Sequence, residues 1–219
     1  IIAVKDYKYN TGIIHSAWNG IQNFRFLFES DTFFTILRNT LGYNLFGIAA
    51  NPIIATILAI SLDNIGKKMP IKIFQSCMFL PYFLSWIVVS YITHSMLEYN
   101  SGFINSIIEH FGGNRISFYA EPKLWPFILC ICSVWKGMGY STLVYYGTIL
   151  GIDSELYEAA AIDGCSYLKR IWHITLPHLK STVIVLTLMS VGGIFRSDYG
   201  LFFYIPKDLG VLYSATDVL

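Results

Sequence analysis

The chain has 219 residues, of which 54% are hydrophobic, 16% aromatic and only 13% charged, with a formal net charge of +1. Soluble domains carry roughly a quarter charged residues. One soluble core could not hide this much apolar surface, so the surplus must face lipid or partner helices. The near-neutral charge also lacks the basic footprint of a nucleic-acid binder, and no nucleic-acid partner is expected.

Ile1-Ile2-Ala3-Val4 resembles the tail of a membrane span, and no cleavable leader is visible. Residues 39–62 and 73–97 hold no charged side chain, and 124–149 holds only Lys136. Each run exceeds the roughly 20 helical residues needed to cross a hydrocarbon core of about 30 Å. A fourth run, 181–195, is short. It spans only if the helix continues past Arg196 or Lys180 snorkels, which gives a fourth span over about 178–200. Proline and glycine interrupt these runs at Asn51-Pro52, Pro81 and Gly192-Gly193. They read either as packing kinks or as flexible points around a pathway.

Lysine and arginine set the orientation. Lys67, Lys68 and Lys72 follow the first span, and Lys169, Arg170 and Lys180 follow the third, whereas the loop from 98 to 123 has only Arg115 and Lys123. The two basic loops are therefore expected in the cytoplasm, with the N-terminal stretch, the 98–123 loop and the tail outside. The 98–123 loop is either an ordinary polar loop or part of a docking surface.

The 152–177 loop has its own local code. Asp153 or Ser154 can cap a short helix, Glu155 and Glu158 favour its positive end, and Ala159-Ala160-Ala161 propagates it. Gly164 sits where a terminal glycine ends a helix, and Ser166 can cap a second one over 167–176 before Pro177. Such a pair is either a compact lever presented to another protein or two amphipathic helices lying on the membrane surface.

The residues carry no catalytic constellation. Neither a phosphate-binding glycine loop nor a nucleophile–base pair is evident, and the chain is expected not to be an enzyme. Cys77, Cys130, Cys132 and Cys165 have no zinc or disulfide spacing, and the five histidines (His15, His94, His110, His173, His178) have no metal-ligand spacing.

Glu158-Ala159-Ala160, then three residues, Gly164, nine residues and Ile174-Thr175-Leu176-Pro177 resembles the EAA loop of binding-protein-dependent ABC importers. The likeness extends along the chain. Trp18-Asn19-Gly20-Ile21-Gln22-Asn23-Phe24, Leu27-Phe28 and Leu37-Arg38-Asn39-Thr40-Leu41 resemble the external lead into the second core helix of sugar permeases. Phe79-Leu80-Pro81-Tyr82-Phe83-Leu84-Ser85-Trp86 and Trp135-Lys136-Gly137 are similar to the polysaccharide branch related to maltose permeases. Trp172 stands where many relatives carry phenylalanine, which keeps an aromatic there.

The resemblance implies an all-α polytopic membrane protein with a MetI-like ABC importer transmembrane domain. Residues 1–219 would form one domain lacking its first and last core helices. It implies a second homologous permease, two ABC ATPase subunits that bind the ATP and magnesium, an extracellular solute-binding lipoprotein and a bacterial cytoplasmic membrane as partners. No cofactor is expected in this chain. ATPase coupling would fall on Glu158, Ala159, Ala160, Asp163, Gly164, Ile174, Leu176 and Pro177. A secondary transporter or channel is the alternative, but the spans hold no carboxylate before Asp198.

Ser133, Lys136, Gly137 and Tyr140 share a helix face at i, i+3, i+4 and i+7. A central cation facing lipid costs at least about 2.5 kcal/mol, so Lys136 should face a wet cavity or a partner. Offsets from the EAA glutamate in maltose-type permeases imply sugar contacts at these four residues and at Gly193 and Ser197. Tyr140 would stack on a sugar ring while Lys136 bonds hydroxyls or a carboxylate. Alternatively, Lys136 pairs with Asp198 or a helix carbonyl, and Tyr140 simply packs.

Overall fold

The computed structural model describes residues 2–10, 12–25, 28, 30–65 and 68–219. Ile1, Leu27 and Lys67, which figure in the sequence reading, lie outside them. Among the described residues the chain is helical, with one isolated β-bridge, Lys5–Trp18, near its start.

Helix α1 (Asp31–Asn64) starts where the Ser30 hydroxyl accepts from the Phe33 amide, and it runs on through Pro52. Its Ala55, Ala59 and Leu62 form a buried stripe against Tyr145, Tyr146 and Ile149. The small alanines let the two backbones come close, which is how apolar helices gain contact where lipid is as apolar as leucine.

The 73–97 run, expected as one span, is two helices. Helix α2 (Lys68–Phe83) stops just after its interior Pro81, and α3 (Trp86–Leu97) leaves at 103° to it, capped by Ser85. Outside this pair, α4 (Phe103–His110) is fixed by Asn105. Its fully buried amide donates to the Glu98 and Ile116 carbonyls and accepts from the Ile116 amide. The exposed Glu98 carboxylate accepts from the backbone amide and hydroxyl of Ser101, which lowers its pKa to about 2.

Helix α5 (Trp125–Leu150) is the axle of the fold and matches the expected 124–149 run. It packs against α1 and α2 on its flanks and buries Trp125, Leu129, Val134, Tyr145 and Ile149. At Gly139 the α2 backbone lies so close that a Cβ would overlap the Met78 carbonyl. Trp125 and Leu129 anchor a second apolar cluster with Val89, Leu201, Phe202, Ile205 and Leu212.

After α5 come a short helix, α6 (Ser154–Ile162), and a long helical stretch from Tyr167 to Val191. That stretch consists of α7 (Tyr167–Arg170), a π-helical turn at Ile171–Thr175 and α8 (Leu176–Val191). Pro177 was expected to mark a boundary, but the helix passes through it. The wider π turn just before it relieves the clash and lost amide bond that proline brings to a helix interior. The fourth apolar run therefore gains its length at its N-terminal end, not past Arg196, where the chain turns at 192–195.

The remainder returns to α1. Asn39 donates to the Ser214 and Asp217 carbonyls, Tyr43 to Ala215, and Asn44 to Ile194 and Arg196, while the Thr40 hydroxyl accepts from the Leu219 amide. Within this segment a short helix, α9 (Tyr199–Tyr204), is capped by Asp198.

Replacing Gly139 with alanine should force α2 off α5 and cost about 1–3 kcal/mol, the usual range for overpacking. Thermal denaturation of the detergent-purified protein should show a lower midpoint, whereas Gly147→Ala, where a Cβ meets open space, should leave it in place.

Candidate functional site

Two regions carry the chemistry singled out in the sequence. The first is the α6–α7 hairpin. Asp153, not Ser154, caps α6: its carboxylate accepts from the Glu155 amide at 3.0 Å. At the other end Gly164 lies in the left-handed region with φ +72°. The Cys165 amide bonds back to Ala160 and the Gly164 amide to Ala161, which satisfies carbonyls that a helix end leaves open. Ser166 stands at the α7 cap position, although its hydroxyl makes no capping bond.

The hairpin is braced from beneath. Tyr157 and Thr175 share a hydroxyl–hydroxyl bond of 3.0 Å, and a cavity of about 350 Å³ lies between Asp63, Tyr157, Tyr167 and Arg170. Its outer surface shows Glu158, Ala159, Asp163 and Gly164, with Ala160 half-buried. Ile162 is 87% exposed, and Leu168 and Trp172 beyond it are also bare. Ile174 and Leu176 are half-buried and Pro177 is exposed in the helix that continues from the hairpin. The hairpin is thus a structured knob with a bare apolar end.

The second region surrounds the break between α2 and α3. Lys136 takes one of the arrangements left open in the sequence, bonding to helix carbonyls. Its ammonium donates to the carbonyls of Pro81 at 3.3 Å, Tyr82 at 2.9 Å and Leu84 at 2.6 Å. It also lies over the rings of Tyr82 and Trp86, at 5.9 and 5.2 Å. Trp86 donates its indole N–H to Asp198 at 2.7 Å. Tyr140 is half-exposed and stacks on Tyr82 at 5.4 Å and 20°, while Tyr82 stacks on Phe79 at 5.4 Å and 7°.

The other expected contacts are spread more widely. Ser133 and Asp198 line one small cavity of about 70 Å³ with Asn44 and Cys130. Gly137 faces Asn51, whose buried side-chain oxygen has no hydrogen-bond partner among the described residues. The Ser197 hydroxyl is likewise buried without a partner among the described residues, and Gly193 lies in the turn after α8. Sequence reasoning missed Tyr82 and Trp86 as members of this cluster. The signal for them was Pro81, which ends a helix and makes its last carbonyls seek a donor.

Residues 53–205 match the family of binding-protein-dependent transport system inner membrane components. The chain belongs to that family. Among its relatives is the polygalacturonan/rhamnogalacturonan transport system permease protein YteP of Bacillus subtilis. It is 34% identical over 192 residues, covering 88% of this chain and 60% of the relative. The arabinooligosaccharides transport system permease protein AraP of the same organism is 33% identical over 184 residues, covering 82% and 58%. The chain thus spans about three-fifths of the length of these relatives. A chain of a bacterial alginate ABC transporter, solved in complex with an alginate pentasaccharide-bound periplasmic protein, superposes with a TM-score of 0.85 at 27% identity. That match covers 91% of this chain and 68% of the other. The all-α MetI-like fold implied by the sequence is therefore the fold observed, in a multi-pass membrane protein.

At Gly164, alanine should strain the left-handed turn and cost about 1–2 kcal/mol, whereas asparagine, which tolerates that region, should cost less. Hydrogen exchange at the Cys165 amide should rise in that order, glycine slowest and alanine fastest.

Proposed function

We propose that this chain is the membrane permease subunit of an ATP-driven importer for a carbohydrate, an oligosaccharide or glycan, delivered by an extracellular solute-binding protein. The observation that carries this reading is the α6–α7 hairpin. Its helix is capped at Asp153, closed at Gly164 and left bare at Glu158, Ala159 and Ile162, at the end of helices long and apolar enough to cross a bilayer. The named transport roles of the similar permeases support a sugar as the solute.

In this reading a second homologous permease completes the pathway in the bacterial cytoplasmic membrane. Two ABC ATPase subunits hold ATP and magnesium and seat the hairpin through Glu158, Ala159, Ala160, Asp163 and Gly164, with Ile174, Leu176 and Pro177 stiffening the exit. Closure of the ATPase pair drags the hairpin, and the two permeases rock between inward-open and outward-open states around a midplane site. Ser133, Lys136, Gly137 and Tyr140 on α5 belong to that site, with Gly193 and Ser197 across from them. An aromatic such as Tyr140 suits a sugar because its face takes the apolar side of the ring.

Co-expression with its permease partner, ATPases and binding protein, followed by reconstitution into liposomes, tests the assignment. ATP inside the vesicles should drive uptake of labelled oligosaccharides from a panel of acidic oligogalacturonides and neutral arabino-oligosaccharides. Uptake that runs on an ion gradient without ATP would mark a secondary transporter and end this reading.

Coupling has its own test. Ala159→Arg places a bulky charge on an exposed position, so the complex should still assemble while ATP-driven uptake falls at least about tenfold, the scale of a lost interface anchor. Normal uptake by that variant would remove Ala159 from the ATPase contact.

A further inference from the structure

The break between α2 and α3 leaves carbonyls that a continuous helix would have paired. In a hydrocarbon setting these must find donors within the protein. Lys136 supplies them for Tyr82 and Leu84, and adds a longer bond to the Pro81 carbonyl, which already accepts from the Leu84 amide at 3.2 Å. An ammonium has three N–H donors, and here the three carbonyls of Pro81, Tyr82 and Leu84 lie at 3.3, 2.9 and 2.6 Å. Its donors are thus fully engaged within the fold. A lysine that bonded solute hydroxyls would have to release part of the break to do so.

What the lysine holds is an aromatic row. Tyr82 sits at the break itself, between Phe79 on its own helix and Tyr140 on α5, in two stacked contacts of 5.4 Å each. Tyr140 is 44% exposed and Tyr82 45% exposed, so the end of the row is open. A third tie fixes the far side. Trp86 begins α3, lies 5.2 Å from the Lys136 ammonium, donates to Asp198 and packs where Gly200 has no side chain. Lys136 therefore joins α5 to the α2–α3 break, and Trp86 joins that break to α9.

We propose that Lys136 is a positioning residue that locks the α2–α3 break, and that Tyr82, set by that lock, is the backing ring of the sugar-stacking surface presented by Tyr140. This rests on the carbohydrate-permease reading and changes one part of it: Lys136 acts through Tyr82 and does not touch the solute. The surface so built is apolar and flat, with the cation turned inward to the backbone. It suits the pyranose or furanose face of an oligosaccharide whether or not the sugar carries a carboxylate.

The test uses the complete reconstituted transporter and Lys136→Met, Lys136→Arg, Tyr82→Ala and Tyr82→Phe, with assembly checked by co-purification. The probe is whichever of the labelled oligogalacturonides or arabino-oligosaccharides the unmodified complex imports. Lys136→Met should lower uptake by up to about fivefold, no more than loss of the ring it positions, as expected when a contact group is misplaced. Tyr82→Ala should lower it about fivefold through loss of ring stacking, with Tyr82→Phe near normal. Lys136→Arg, which keeps a cation with several donors, should recover most of the loss. The double variant Lys136→Met/Tyr82→Ala should be no worse than the weaker single variant, because both changes remove the same ring from the same place. Multiplying losses would show that Lys136 meets the solute directly, and would overturn the proposal. So would uptake by Tyr82→Ala within twofold of normal, a result that stays decisive even if Lys136→Met fails to assemble. A solute-independent measurement stands beside these. Hydrogen exchange across Phe83–Val88 should rise in Lys136→Met and not in Tyr82→Phe, and unchanged exchange in Lys136→Met would refute the lock. Failure of the unmodified complex to import either glycan would instead count against the carbohydrate reading, leaving the exchange result to decide the lock.

Discussion

A backbone carbonyl or amide within a hydrocarbon slab has no water to bond, so any departure from a regular helix must be matched by a donor or acceptor from the protein itself. Several irregular points among the described residues show such a match. Lys136 serves the broken α2–α3 turn. Asn39, Thr40, Tyr43 and Asn44, within two turns of α1, take up the backbone of the returning segment at 194–196 and 214–219. Outside the apolar runs, at the exposed base of the hairpin, His173 and His178 each place a ring nitrogen on a carbonyl one turn back, beside the π turn and Pro177.

Close approach is the second organising factor. Without a solvent to expel, helices in lipid gain from packing, and packing improves when backbones can touch. Gly139 admits α2, Gly200 admits Trp86, and Ala55 with Ala59 lets α1 lie against Tyr145 and Ile149. The result is that α5 is gripped by α1, α2 and α9 at different heights. A residue on α5 such as Lys136 or Tyr140 is consequently held in register with three other elements.

Much of this was legible in the sequence. Runs with no charge or a single one located α1 and α5, and the caps and glycine at 153–164 defined α6 almost to the residue, because those signals are local. The bend at Leu84–Ser85 was not, since a proline in an apolar run is compatible with a gentle kink or a full stop, and the outcome depends on whether a donor such as Lys136 arrives from another helix. The passage of the helix through Pro177 was hidden for a related reason. Proline is a strong local breaker, and only the extra width of the π turn before it lets the helix continue. For Lys136 the sequence showed that a partner must exist but could not choose between a solute, a carboxylate and a carbonyl, which lie far apart in the chain and meet only on folding.

The π turn at Ile171–Thr175 has a geometric consequence for everything downstream. A residue added within one turn of a helix advances the phase of all later side chains by about 100°. Relative to α7, the buried Leu179 and the Thr182 hydroxyl that meets Thr148 at 3.1 Å are rotated by that offset. An uninterrupted α-helix of the same residues would set them about 100° differently relative to α7. The angular setting of α8 relative to α7 is thus written into five residues at its base, next to the hairpin.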